Sequence, residues 1–304
     1  MNELNQAVPA KISVIIPTFM RSQKLKVCIN KIFSCEPSPS EILVHIDYGD
    51  DETEAVIEES FPHVVILKSQ SRQGPGGGRN RLIRAATHEL VVSFDDDSFP
   101  VNKDFFQKTV ELFERQTNLA ILGCQIIEPS EAIESENLQL QESASFIGCG
   151  CIYRKSYFLK TDGYLPLALA YGMEEVDISL QLLNIHGVIA KTSALRVFHE
   201  TDLERHASRS VNAAHIANTA LLIFLRYPLN WFPYGCFQVA NRVIYAYQVK
   251  RFQGILSGLL AIPVICWRYR RFRKPVSDET LRLVQRIRSS PQVLQMSDSL
   301  VITN

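Results

Sequence analysis

Three consecutive carboxylates, Asp95-Asp96-Asp97, follow directly on the β-prone run Leu90 to Phe94. A short, nearly continuous apolar run bounded by polar residues reads as a strand buried on both faces. Three Asp side chains at its carboxyl end repel one another strongly unless something positive sits among them. In open α/β sheets, ligands bind in the crevice outside the carboxyl ends of the strands. Hard oxygen ligands there suit Mg²⁺ or Mn²⁺, and such an ion commonly also carries substrate phosphates. A solvated acidic turn is the plain alternative. A second acidic group, Glu174-Glu175-Val176-Asp177, opens a stretch of helical spacing. Acids near a helix N-terminus stay ionised and can take a proton from a hydroxyl, although the macrodipole alone also favours them there. Asp47 ends another apolar run, where it could accept hydrogen bonds from a ligand or cap the next helix. Gly74-Pro75-Gly76-Gly77-Gly78 lacks the Lys-Ser/Thr of a P-loop and does not read G-x-G-x-x-G, so a flexible loop beside the ligand is expected.

The elements that position these residues are legible in the apolar periodicity. Ile12 to Ile16 is a first strand, stopped by Pro17-Thr18, and Gln23 to Ser34 has helical spacing. Ile42 to Asp47 is a second strand, and Gly49-Asp50-Asp51 caps a helix running through Glu59. Val64 to Lys68 is a third strand, and Arg79 to Thr87 a helix leading into the strand before Asp95. This alternation is that of a doubly wound, mostly parallel sheet. Beyond it, Asp104 to Gln116 reads as a helix with Asn102 or Asp104 as N-cap, Ala120 to Ile127 as a strand, and Glu128 to Glu142 as an acidic loop. Ala144 to Tyr153 reads as a strand, Met173 to His186 as an amphipathic helix closed by Gly187, and Val188 to Phe198 as a strand. From Ser208 the sequence turns helical and aromatic, which divides the chain near Asp202 into an α/β domain, 1–202, and a helical C-terminal region, 203–304.

Composition narrows the class. Thirty-two basic and 32 acidic side chains in 304 residues give no argument for a nucleic-acid partner. Seven cysteines without a C-x-x-C pair argue against zinc ribbons and thioredoxin-like chemistry, and reduced thiols in a cytoplasmic protein are the economical reading. Met1 to Ala10 lacks the basic-then-apolar pattern of an export signal, and Gly254 to Trp267 is too short for a bilayer span.

Taken together, Ile16-Pro17-Thr18-Phe19, the strand ending at Asp47, Gly77-Gly78-Arg79-Asn80-Arg81 before a helix, and Phe94-Asp95-Asp96-Asp97 resemble the nucleotide-sugar half of family 2 glycosyltransferases, from about Ile12 to Glu200. The resemblance implies a GT-A fold, an inverting mechanism and a single hexosyl or deoxyhexosyl unit moved from a nucleotide-diphosphate sugar. It implies that Pro17, Thr18, Asp47, Arg79, Asp95 and Asp96 serve the donor, with Arg79 equally suited to a structural ion pair with the acidic run. Asp95 and Asp97 match the family's D-x-D pair, with Asp97 the closer ligand of Mg²⁺ or Mn²⁺ and His199 a third candidate or simply a satisfied polar residue. Glu175 stands where the family places its base, usually an Asp, one methylene shorter. Asp177 is expected to pair with an Arg or backbone NH groups, while Gly148, Asp162, Gly163 and Glu174 shape the acceptor side. Arg205 and Arg209 could close over the diphosphate, or be plain surface charge. Gly254 to Trp267 and the basic tail Arg268 to Lys274 fit a helix on an anionic membrane surface at the cytoplasmic face, consistent with a lipid-linked acceptor, and equally a helix packed on the catalytic domain. Gln248-Val249-Lys250-Arg251-Phe252 echoes the Q-x-x-R-W of processive synthases only faintly. A sugar nucleotidyltransferase would want a Gly-rich basic signature after the first strand, which Phe19-Met20-Arg21 does not supply. A catalytically silent nucleotide-sugar or glycan-binding protein is the alternative that the Glu at 175 leaves open.

Overall fold

Strands form where the sequence supplies apolar residues for two faces at once. In β1 (Ala10–Thr18), Ile12, Val14 and Ile16 point into one core cluster and Ile15 into the other, all fully buried. A computed structural model describes residues 9–127, 139–167, 169, 173–200 and 208–295. After β1 come α1 (Ser22–Phe33), β2 (Pro39–Ile46), α2 (Thr53–Ser60), β3 (Val65–Lys68), α3 (Gly74–Ala85) and β4 (Leu90–Phe94). Next are β5 (Ser98–Pro100), α4 (Phe105–Arg115), β6 (Leu119–Ile127), β7 (Leu140–Glu142), β8 (Gly150–Arg154), α5 (Lys155–Phe158), α6 (Glu174–Asn184) and β9 (Val188–His199). The C-terminal region holds α7 (Arg209–Arg226), α8 (Phe232–Gln248), α9 (Ile255–Tyr269), α10 (Asp278–Ser289) and β10 (Val293–Leu294).

The strands lie in one sheet, ordered β10-β7-β9-β6-β8-β4-β1-β2-β3, with β5 paired to β9. β3, β2, β1 and β4 run parallel, as do β6 and β9, and β8 is inserted antiparallel between β4 and β6. The chain order reverses beside β1, between β2 and β4, which is where a doubly wound sheet opens its binding crevice. Because β8 is antiparallel, its first residue, Gly150, pairs with Phe94 at the carboxyl end of β4. β5 pairs Ser98 with His199, bringing the end of β9 to that edge as well.

Three expectations need correction. The glycines Gly74 to Gly78 are not a loop but the first turns of α3. Their lack of side chains is a packing demand: a Cβ on Gly76 would lie 2.4 Å from Glu174 Oε1, and one on Gly78 2.6 Å from His45 Nδ1. The strand expected over Ala144 to Tyr153 begins only at Gly150, because the preceding turn, closed by Gly150 N on the Ile147 carbonyl, aims the Gly148 amide at Glu175. Asn102 does not cap α4; its Oδ1 accepts from Arg196 N at 2.9 Å, while Asp104 holds the N-cap position and pairs with Lys108. Asp50 does anchor the start of α2, accepting from Thr53 N and Oγ1 and from Met20 N. The boundary at Asp202, residue Arg205 and residues 128–138 of the expected acidic loop lie outside the described residues.

Candidate active site

At the carboxyl edge, the counter-charge that three adjacent Asp require is supplied first by arginine. Arg21, just beyond β1, donates to Asp96 Oδ1 at 2.6 Å and lies 2.8 Å from Asp97 Oδ2. Thr18 Oγ1 donates to the other oxygen of Asp96 at 2.9 Å. Burial, with repulsion from Asp95 and Asp97, nevertheless pushes the Asp96 carboxyl up to about 6, against the pull of Arg21 and Thr18. Burial works the same way on Asp97, but there the imidazole of His199 and the Arg21 guanidinium outweigh it and hold the carboxyl below its ordinary value. The tight turn after β4 is fastened by Ser98, which accepts from Asp95 N and donates to the Cys149 carbonyl, both at 2.7 Å.

Arg79 joins this edge to the acceptor side. It projects from α3, is buried, donates through Nε to Ser93 Oγ at 3.1 Å and through a terminal nitrogen to Asp95. Its other terminal nitrogen lies 3.8 Å from Glu174 Oε2. Of its two expected roles, the structure therefore gives Arg79 the ion pair with the acidic run, beneath the cleft. Glu174 also accepts from Gly76 N at 2.9 Å, which fastens the start of α6 to the start of α3. Beside it, Glu175 Oε1 accepts from Gly148 N at 3.3 Å, and a Cβ built on Gly148 would lie 3.0 Å from that oxygen and 3.3 Å from Arg79 Cζ. Burial raises both Glu174 and Glu175 above the ordinary carboxylate range, with the Arg79 charge opposing it.

A cleft of about 510 Å³ opens over this edge, lined by Pro17, Thr18, Asp47, Asp95 and Asp96, with Phe19, Arg21, His45, Arg72, Gly74, Pro75 and Leu169. Asp47 borders it while accepting from Gln73 N at 2.9 Å and Gly74 N at 3.0 Å, so its carboxylate secures the N-terminus of α3. Arg72 stacks over Phe19 at 4.7 Å on the rim. Arg21, Phe19, His45 and Arg72 were not singled out in the sequence. For Arg21 the signal was available, a basic residue three positions after the strand-ending Thr18, on an edge that needed positive charge. Asp162 is drawn instead toward the C-terminal region, pairing with Lys274 at 2.5 Å and with Arg226 at 3.6 Å. Gly163 takes a positive φ of 77°, and the amide of the next residue, Tyr164, donates to Asn80 on α3. Asp177 pairs with Arg226 as expected of a structural acid, through Nε at 2.5 Å and Nη2 at 3.2 Å. Arg209 begins α7.

The side chains at the edge fit a divalent cation. Asp95, Asp96 and Asp97 share the guanidiniums of Arg21 and Arg79, so acids outnumber the arginines at this edge. Asp97 Oδ1 and His199 Nε2 lie 3.5 Å apart, and Asp95, Cys149 and His199 offer ligand atoms within 4.8 Å of one another. Burial raises the Cys149 thiol well above its ordinary pKa, which keeps it protonated and unsuited to a hard ion. The hard donors at this edge are therefore Asp95 and His199 of that group, with Asp97 beside His199.

Comparison with known proteins gives a consistent picture. Residues 13–162 match the model of glycosyl transferase family 2. Over 91 residues the chain is 33% identical to GalNAc(5)-diNAcBac-PP-undecaprenol beta-1,3-glucosyltransferase of Campylobacter jejuni, covering 29% of each protein. A 178-residue match at 25% identity covers 55% of the chain and 53% of a dolichyl N-acetyl-alpha-D-glucosaminyl phosphate 3-beta-D-2,3-diacetamido-2,3-dideoxy-beta-D-glucuronosyltransferase of Methanococcus voltae. The chain thus spans about a third to a half of the length of these curated relatives. Among solved structures, GalNAc-T7 with UDP, GalNAc and Mn²⁺ superposes with a TM-score of 0.61 at 12% identity, over 95% of this chain and 58% of that one. The mannosyltransferase PcManGT from Pyrobaculum calidifontis, with GDP-Man and Mn²⁺, gives 0.56 at 14% identity, over 92% and 86%. S. aureus TarS 1-349 with UDP-GlcNAc gives 0.52 at 14%, over 94% and 99%. At such identities the likeness is one of fold, and the fold is GT-A.

Proposed function

Residues 13–162 belong to glycosyl transferase family 2, and from that premise we propose that the protein is a metal-dependent inverting glycosyltransferase that moves single sugars from a nucleotide-diphosphate donor to a hydroxyl of a lipid-linked or glycan acceptor. The observation that carries this reading is the convergence of two acidic groups far apart in sequence. Arg79 is buried between Asp95, at the donor edge, and Glu174, at the head of α6, and Glu175 is held next to them by the Gly148 amide.

The donor's nucleoside would lie along Pro17, Thr18 and Asp47, and Asp95, Asp97 and His199 would hold Mg²⁺ or Mn²⁺ beside its diphosphate. That ion, when bound, neutralises the diphosphate as negative charge builds on the leaving group. Glu175 takes the proton of the acceptor hydroxyl as that oxygen attacks the anomeric carbon. The bond to the diphosphate oxygen breaks in the same step, and the configuration inverts. A pKa raised by burial makes Glu175 a stronger base than an exposed carboxylate. The two curated relatives named above act, by their names, on undecaprenol- and dolichyl-linked sugars, which supports a lipid-linked acceptor. Transfer measured over a panel of nucleotide sugars tests the assignment. Asp97→Ala and Glu175→Gln should each lower kcat/KM about 10²- to 10⁴-fold with folding intact. Chelation should abolish turnover, and Mn²⁺ should restore it in the wild type. Full activity in both variants would reject the proposal.

A further inference from the structure

The charge of the chain is balanced only as a whole. Between Arg209 and Ser277 there are ten basic residues and no acidic one, leaving 22 basic against 32 acidic elsewhere. This acid-free stretch is also where the helices are turned inside out. α9 packs its small residues on α7, with a Cβ on Gly258 falling 2.8 Å from the Ala213 carbonyl. Its opposite face carries Leu256, Leu260, Val264 and Trp267, at helical spacing and between 66% and 69% exposed. α8 likewise packs Gly235 against Ile223 of α7 and exposes Phe237, Ile244, Tyr245 and Tyr247. Such apolar stripes are uncommon on a water-facing surface. The exposed Arg268, Arg270 and Arg271 follow immediately on the α9 stripe, and Lys250 follows α8.

We propose that α8 and α9 form a docking surface for an anionic lipid bilayer, on which the protein lies without crossing it. Among the described residues no helix is long and apolar enough to span a membrane. The two chemistries required for binding at the interface are both present: apolar and aromatic side chains to enter the headgroup region, and a basic rim with no acid to oppose it. A protein partner would need a matching acidic frame, whereas anionic headgroups supply that charge everywhere. The same helices are tied to the catalytic side. Arg226 of α7 holds Asp177 of α6, Asn218 of α7 donates to the carbonyl of Leu169 on the cleft wall, and Lys274 holds Asp162. Bilayer docking therefore fixes the cleft relative to the surface, and its use rests on the proposed lipid-linked acceptor although its physics does not.

Flotation of the full chain with vesicles tests the surface without donor or acceptor present. We expect association with phosphatidylcholine vesicles containing phosphatidylglycerol, weakened by raised salt, and a blue shift of tryptophan emission that Trp267→Phe removes. Leu260→Glu with Val264→Glu should weaken partitioning more than tenfold, and Arg270→Gln and Arg271→Gln about fivefold each. All these side chains are exposed, and thermal unfolding verifies that the variants fold. Nucleotide-sugar binding should be unchanged in the variants; wild-type protein that transfers sugar but does not bind the vesicles sinks the docking surface alone, and wild-type protein that binds them but is inactive sinks only the catalytic reading. Absence of binding to the phosphatidylglycerol-containing vesicles overturns the proposal. So does a dimer in sedimentation that Leu260→Glu dissociates, because a second copy would then cover the stripe.

Discussion

Glu175 is the side chain on which the proposed chemistry turns, and its surroundings give it a testable pH signature. Burial raises its pKa and that of Glu174, and the Glu175 charge raises Glu174 further. A base works ionised, so activity is lost as pH falls through the raised value. The acid limb of the kcat/KM profile should therefore lie above the ordinary carboxylate range. Glu174, raised further, stays protonated while Glu175 ionises, so Glu174→Gln is a neutral exchange whose amide oxygen can still accept from the Gly76 amide. It should leave that limb in place, and a limb moved to lower pH would show that Glu174 carries charge there. The acids themselves were readable in the sequence, because runs such as Asp95-Asp96-Asp97 stand out by charge alone. Their partners were not. Arg21, just before α1, reaches Asp96 and Asp97, Arg79 on α3 reaches Asp95, and only the folded chain decides which arginine meets which acid.

At the scale of elements, periodicity located the longer strands and helices of the α/β part but not the short β5, β7 and α5, the division of the C-terminal helices, or the reason for the glycines. Gly76 and Gly78 read as loop formers by propensity. In the fold they let α3 approach Glu174 and His45 so closely that no side chain fits. Close approach is a property of two elements, so the sequence of one of them cannot state it. The insertion of β8 between β4 and β6 escaped for the same reason, since strand order is decided by pairings between distant segments. One contact between elements is open to measurement. Arg226 of α7 meets Asp177 of α6 in a buried pair, and Gln181 completes the carboxylate at 3.0 Å. Arg226→Met would leave that carboxylate buried without its counter-charge and should destabilise the protein by about 3–5 kcal/mol in urea unfolding. Asp177→Asn with Arg226→Met should recover much of the loss. A single variant as stable as the wild type would mean that the pair does not hold α7 to α6.

For the whole molecule, the consequence is that the C-terminal helices are structurally inseparable from the sheet. One core cluster gathers Leu82 and Ile83 of α3, Ile178 and Leu182 of α6, Leu221 and Leu225 of α7, and Val284 and Ile287 of α10. The last strand, β10, pairs with β7, and Glu142 at the end of β7 is bonded by Arg286 of α10. A chain of this length often unfolds in stages, and a shared core argues that this one does not. The tryptophans give a direct readout, because both, Trp231 and Trp267, lie in the C-terminal region while circular dichroism reports the whole chain. Trp231 packs against Tyr234 and the shared core, so its emission follows that region's packing. The two signals should fall together in urea, with one midpoint. Residues 1–207 alone, stripped of α7 and α10, should expose the apolar face of α3 and α6, bind a hydrophobic dye and lose the cooperative transition. A tryptophan transition that precedes the loss of circular dichroism, together with a cooperative 1–207 fragment, would instead make the helices an appendage to a sheet that stands without them.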